Sequence, residues 1–179
     1  WHIECSGMAW RYLGESFDIH TGGVDHIAVH HTNEIAQSEN AHGKIYANYF
    51  CHNEFLNLGE EKMSKSKNNA YTLREIEDKN ISPISFRYFL LQSHYRQNTN
   101  FTWDALEAGQ NALKKLKKQI SELKNESDDL EIDFENNVYY KKFISAINDD
   151  LNMPQALASL WEMLKDTNIS NNEKYAVAL

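Results

Sequence analysis

With 179 residues, 41 % hydrophobic and 12 % aromatic, the chain can bury one sizeable core or two small ones, which excludes wholesale disorder. A formal charge of −8 excludes a uniformly basic nucleic-acid-binding surface. The sequence holds no apolar run of membrane-spanning length and opens on no signal-peptide pattern. Two cysteines, Cys5 and Cys51, are too few for a disulfide framework and fit a reducing, cytoplasmic setting.

The first segment, Trp1-His-Ile-Glu-Cys-Ser6, has no initiator Met, and the chain reads as an internal piece of a longer protein. Apolar Ile3, Met8 and Leu13 give residues 1 to about 12 helical spacing, with Gly14 as a stop. Phe17-Asp-Ile-His20 is a short β-prone run entering a glycine turn at Thr21-Gly22-Gly23. A helix is expected from Asp25 to about His42, closed by Gly43. Ile45–Cys51 has the aromatic and branched content of a strand, within which Cys51 serves as a buried small hydrophobe. Phe55–Leu58 continues as a short extended piece. Strand, turn, helix, strand is a βαβ pattern, which implies a parallel sheet with its site at the strand C-termini.

The pattern changes near residue 70, beyond which no strand is signalled. Thr72 with Glu75 forms a capping box, and Ser82-Pro83 opens another helix whose apolar face is Phe86, Phe89, Leu90 and Leu91. Leu106, Leu113, Leu116, Ile120 and Leu123 step through a third, which carries the basic patch Lys114, Lys115, Lys117 and Lys118. That patch is compatible with an RNA contact and equally with a solvated helix face. The acidic stretch 126–135 is the linker candidate, followed by helices near 136–149 and 154–166.

Three groups carry chemistry. Lys62-Met-Ser-Lys-Ser66 places two lysines and two hydroxyls in a loop that can bring cationic donors to a polyphosphate as pyrophosphate leaves. Cys5, His30 and Glu34 supply a thiolate, an imidazole and a carboxylate, all competent zinc ligands. His30 and Glu34 are four apart on one helix face, which also describes an ordinary surface pair, and His2, His20, His26 and His31 add further candidates. Gly22, Gly23 and Asp25 form a turn where a nucleotide can approach the backbone, with Asp25 able to accept from ribose hydroxyls.

Taken together, Trp1-His-Ile-Glu-Cys-Ser6, Phe17-Asp-Ile-His-x-Gly-Gly-x-Asp25, His30-His-x-Asn-Glu-Ile-Ala-Gln-Ser38, Lys62-Met-Ser-Lys-Ser66, Phe86-Arg-Tyr-Phe-Leu90 and Ser93-His-Tyr-Arg96 resemble the cysteinyl-tRNA synthetases of class I. Asp149-Asp-Leu-Asn-Met-Pro-Gln-Ala-Leu157 resembles the start of a helix in that family's tRNA-contacting domain. The resemblance implies an α/β fold, the second half of a Rossmann-like catalytic domain, followed by an all-α helical bundle. Its divisions would be 1–70 with the zinc site and lysine loop, 71–125 as a helical stem-contact region, and 126–179 as the start of the tRNA-binding helices. It implies zinc on Cys5, His30 and Glu34, and a cysteine pocket walled by Trp1 and His20. It also implies ATP, with Mg2+, held by Gly22, Gly23, Asp25 and Lys65, with Lys62 and Lys65 acting in catalysis. The expected partners are L-cysteine, ATP and tRNA(Cys), in a monomeric cytoplasmic enzyme with no membrane association. A fourth zinc ligand and the family's first signature are not in this sequence, so the fragment would carry half of an active site. Alternatives are a ligase that couples cysteine to an amino sugar, a non-catalytic tRNA-binding fragment, and a metallohydrolase built on His30, His31 and Glu34.

Overall fold

A computed structural model describes residues 1–59, 61–64, 70–123 and 133–179. These residues form two compact units, Trp1–Leu56 with Tyr95–Asn98, and Asn57–His94 with Thr99–Leu179.

In the first unit, helix α1 (His2–Leu13) stops at Gly14, whose φ of 97° suits a residue without a Cβ. Strands β1 (Phe17–Gly23) and β2 (Ala47–Asn53) pair in parallel, with His20 opposite Phe50 and Gly22 opposite His52. Parallel neighbours need a crossover. Here it ends in helix α2 (Thr32–His42), which closes on Gly43 at φ 66°. The small buried residues Ser6 and Ser38 lie on α1 and α2, and Ser6 Oγ donates to Gln37 Oε1 at 3.2 Å. The βαβ unit expected from the sequence is therefore formed.

Several details differ from expectation. Thr21-Gly22-Gly23 is no turn, because the ladder continues to Gly23 opposite Asn53. Gly22 is there for space: a Cβ on it would stand 2.6 Å from His31 Cε1 and 2.7 Å from His26 Nδ1. The single helix expected from Asp25 is three pieces, a 3₁₀ turn at Val24–His26, a π-helical turn at Ile27–His31, and α2. Cys51 is half-buried rather than fully enclosed.

In the second unit, β3 (Leu56–Leu58) and β4 (Glu61–Lys62) form an antiparallel hairpin with Asn57 opposite Lys62. Strand β5 (Thr99–Asn100) joins the other side of β3. It contradicts the expectation of no strand beyond residue 70, and at two residues it is too short for any alternation to reveal. Helix α3 (Leu73–Asp78) starts at the expected capping box, with both Thr72–Glu75 bonds made. Helix α4 (Pro83–Leu91) is capped by Ser82. Its buried face is Ser85, Tyr88 and Phe89, while Leu90 is 39 % exposed, so the apolar stripe expected there is rotated by a position.

Helix α5 (Trp103–Leu123) turns Leu106, Leu113 and Leu116 inward. Gly109 lets it approach α4 closely, since a Cβ there would be 3.2 Å from Phe89 Cβ. Helices α6 (Val138–Asn148), α7 (Met153–Lys165) and α8 (Asn171–Ala178) follow. Asn137, Asn152 and Ser170 cap them by accepting backbone N–H bonds. Tyr88, Leu113 and Leu116 form a core with Leu157, Leu160, Trp161 and Leu164 of α7, and Trp161 Nε1 donates to Tyr88 OH at 3.1 Å. Much of the acidic linker expected at 126–135 lies outside the described residues.

Leu106 has no solvent exposure. Leu106→Ala is expected to lower stability by about 2–5 kcal/mol, and Leu90→Ala by less than about 1 kcal/mol, as read from urea midpoints.

Candidate metal centre

Glu34, in the first turn of α2, has no solvent exposure. Burying a carboxylate costs several kcal/mol unless donors or a cation face it. His20 from β1 supplies one partner, its Nε2 2.7 Å from Glu34 Oε2. His31 Nε2 stands 4.0 Å from the same oxygen. His30 Nε2 lies 3.1 Å from the other oxygen, Oε1, without forming a hydrogen bond to it, and Oε1 is left without a hydrogen-bond partner. An orphaned buried carboxylate oxygen is a position where a cation fits.

The imidazoles are themselves held from behind. His30 Nδ1 is 2.7 Å from His2 Nδ1 on α1, and His31 Nδ1 is 2.8 Å from His52 Nε2 on β2. Each bond uses one ring nitrogen and turns the other toward Glu34, as outer-sphere partners do for metal-binding histidines. The π turn makes the cluster possible. Its wider winding brings both His30 and His31 beside His26, with ring centroids 5.1 and 5.2 Å away.

Two triplets have ligand atoms all within 4.8 Å of one another: Cys5, His30 and Glu34, and His20, His31 and Glu34. Burial, then the negative charge of Glu34, pushes the Cys5 thiol up, so an ion that displaces its proton converts it to the better ligand. Burial, with His20 next, pushes His31 down to about 4. Burial also lowers His52, with the charge of Arg96 adding to it. Neutral imidazoles keep a lone pair for a ligand or a hydrogen bond. Tyr46, pushed up to about 12 by burial and then by Glu34, leaves its buried hydroxyl without a partner.

Of the residues singled out in the sequence, Cys5, His20, His30 and Glu34 are brought together. Trp1 stands at the N-cap of α1 and is 87 % exposed. Gly22 and Gly23 end β1, and Asp25 sits in the 3₁₀ turn that follows. Lys62 is in β4, and Lys65 lies outside the described residues. Lys114, Lys115, Lys117 and Lys118 are exposed on α5. Sequence reasoning missed Tyr46 and His52. His52 was within reach: it shares a strand face with Phe50 by the two-residue period, and parallel register sets it opposite Gly22.

The family model described as the class I (C) tRNA synthetase catalytic domain matches residues 1–111, and the DALR domain matches residues 142–179. The cysteine–tRNA ligase of Nitrosomonas europaea is 44 % identical over all of this chain and 39 % of its own length. That of Chlamydia felis is 47 % identical over 94 % of this chain and 36 % of its own length. The chain thus spans about two-fifths of these curated relatives. A LeuRS–tRNA–LeuAMS ternary complex from Agrobacterium radiobacter K84 shares the fold, with a TM-score of 0.64 at 15 % identity over 89 % of this chain and 24 % of that one.

The close approach at Gly22 is testable. Gly22→Ala drives its Cβ into the His26 and His31 rings and is expected to cost about 1–3 kcal/mol. Gly7→Ala in α1, where a Cβ meets nothing within 4 Å, is expected to add up to about 1 kcal/mol through helix propensity. Urea unfolding of the two variants reads the opposite signs.

Proposed function

This chain belongs to the class I (C) tRNA synthetase family, and from that premise we propose that it forms the metal-bearing half of the catalytic domain of a cysteine–tRNA ligase, with the start of its tRNA-contacting helices. Such an enzyme joins L-cysteine to ATP as cysteinyl-adenylate, releases pyrophosphate, and passes the cysteinyl group to the 3′ end of tRNA(Cys). One observation carries the reading: ligand atoms of a thiol, an imidazole and a buried carboxylate converge within 4.8 Å, and one oxygen of that carboxylate has no hydrogen-bond partner. They do so on a chain that also contains Lys62-Met-Ser-Lys-Ser66.

In this reading Cys5, His30 and Glu34 hold a zinc ion, which their mixed sulfur, nitrogen and oxygen donors suit. When bound, zinc supplies a soft Lewis-acidic partner for the thiol of cysteine, which a serine hydroxyl does not match. His20 orients Glu34 through its 2.7 Å bond and forms one wall of the cysteine pocket. By the family resemblance Trp1 is a second wall of that pocket. At the carboxyl end of β1 the Gly22–Gly23 backbone faces ATP, the side-chain space of Gly22 being taken by His26 and His31, and Asp25 accepts from the ribose hydroxyls. Lys62 and Lys65 neutralise charge on the phosphates, with Mg2+, as pyrophosphate leaves.

We assign the activity to a polypeptide of the relatives' full length. Ile19 and Tyr49, paired across β1 and β2, are large, apolar and exposed, which supports further structure covering that face of the sheet. Among the described residues no helix is long and apolar enough to cross a membrane, and the reading takes the enzyme as a cytoplasmic monomer. The long helical region with its exposed Lys114, Lys115, Lys117 and Lys118 favours tRNA over a small acceptor such as an amino sugar.

Cysteine-dependent ATP–pyrophosphate exchange and tRNA charging by the full-length protein test the proposal, and absence of both overturns it. Lys65→Ala is expected to lower the maximal exchange rate by about 10²–10³, equivalent to about 2.7–4 kcal/mol of transition-state stabilisation, with cysteine affinity unchanged. An unaltered rate removes Lys65 from the phosphate role.

A further inference from the structure

The segment that carries Lys62 and Lys65 is flanked by Gly59 on one side and Tyr71 on the other. Both flanks are held by the same five residues, Thr99–Trp103. On the first side, Gly59 adopts φ 64°, a left-handed conformation in the two-residue connection between Leu58 and Glu61. Its N–H donates to Asn100 Oδ1 at 2.9 Å, across 41 positions of sequence. One residue along, Phe101 N–H donates to Asn57 O at 2.7 Å, so Asn100 and Phe101 hold Gly59 and the strand β3 that precede Lys62. On the second side, the Tyr71 ring packs against Phe101 and Trp103, with centroids 5.5 and 4.9 Å away.

The strap is rigid for local reasons. Phe101 is 1 % exposed and meets Phe86 and Phe89 of α4. Thr102 caps α5, its Oγ1 accepting from Ala105 N–H at 3.1 Å. Asn100 itself is exposed, so its bond to Gly59 contributes little to burying a core. An exposed amide oxygen aimed at a glycine N–H beside a catalytic segment has a positional role.

We propose that Asn100 is a positioning residue, fixing through Gly59 the chain that leads from β3 into the Lys62-Met-Ser-Lys-Ser66 sequence. This rests on the cysteine-activation reading above. Displacing a charge-stabilising group by about 1 Å can cost about a hundredfold in rate, so the anchor matters out of proportion to one exposed hydrogen bond.

The test uses Asn100→Ala and Asn100→Asp in the full-length protein. Asn100→Asp keeps an oxygen acceptor for Gly59, and neither change touches the core. Asn100→Ala is expected to lower the maximal rate of cysteine-dependent ATP–pyrophosphate exchange about ten- to a hundredfold, leaving the KM for cysteine and the zinc content unchanged. Asn100→Asp is expected to restore most of the rate. The Gly59 amide should exchange with solvent faster in Asn100→Ala and return toward wild type in Asn100→Asp. A wild-type rate in Asn100→Ala, or a loss that Asn100→Asp shares in full, overturns the proposal. If the wild-type protein catalyses no exchange at all, the functional reading falls separately. The Gly59 amide then decides the anchor, and an unchanged exchange rate in Asn100→Ala overturns it.

Discussion

A carboxylate cut off from water is stable only where donors or a cation face it, and the first unit is arranged around that requirement at Glu34. Strand β1 contributes His20, the π turn contributes His30 and His31, and α1 contributes Cys5. Behind them His2 and His52 fix two of the rings. Four elements are thus tied to one side chain. One of its oxygens takes a hydrogen bond from His20 and the other has none. This asymmetry is what separates the cluster from a merely satisfied buried acid, and it supports a cation on the Cys5 and His30 side.

The backbone makes two concessions to bring these rings together. The crossover widens into a π turn at Ile27–His31, and β1 carries a glycine where His26 and His31 press against it. Each weakens regular structure, since π turns are rare and glycine inside a strand loses entropy and packing. Local irregularity retained beside a cluster of candidate ligands is the pattern expected where a site, rather than stability, dictates the conformation.

Much of this architecture was legible in the sequence because its signals are local. Thr72 with Glu75, Ser82 with Pro83, and Gly43 mark helix ends through hydrogen bonds made within a few residues, and all three appear as expected. The spacing of Cys5, His30 and Glu34 was legible as a candidate group, but not its burial or the orphaned oxygen. The π turn was invisible because its residues have the same composition as an α-helix. Gly22-Gly23 suggested a turn because the pressure that selects glycine there comes from later side chains, His26 and His31 at Gly22 and Asp25 at Gly23. Strand β5 is two residues held by a hydrogen-bond partner some forty positions away, and no window of sequence reports that. His52 was missed for a related reason, since its importance comes from the parallel register that sets it opposite Gly22, and Tyr46 because its buried, unpartnered hydroxyl is set by tertiary packing.

The account stands on Cys5 being a metal ligand beside Glu34 and His30, and the sulfur can be observed directly. Zinc K-edge X-ray absorption on the zinc-loaded protein is expected to show a sulfur scatterer near 2.3 Å, roughly the usual zinc–thiolate distance, together with imidazole nitrogen. Cys5→Ser should remove one sulfur from that shell and lower zinc affinity. A coordination shell in which the sulfur count is the same with and without Cys5 would contradict the account.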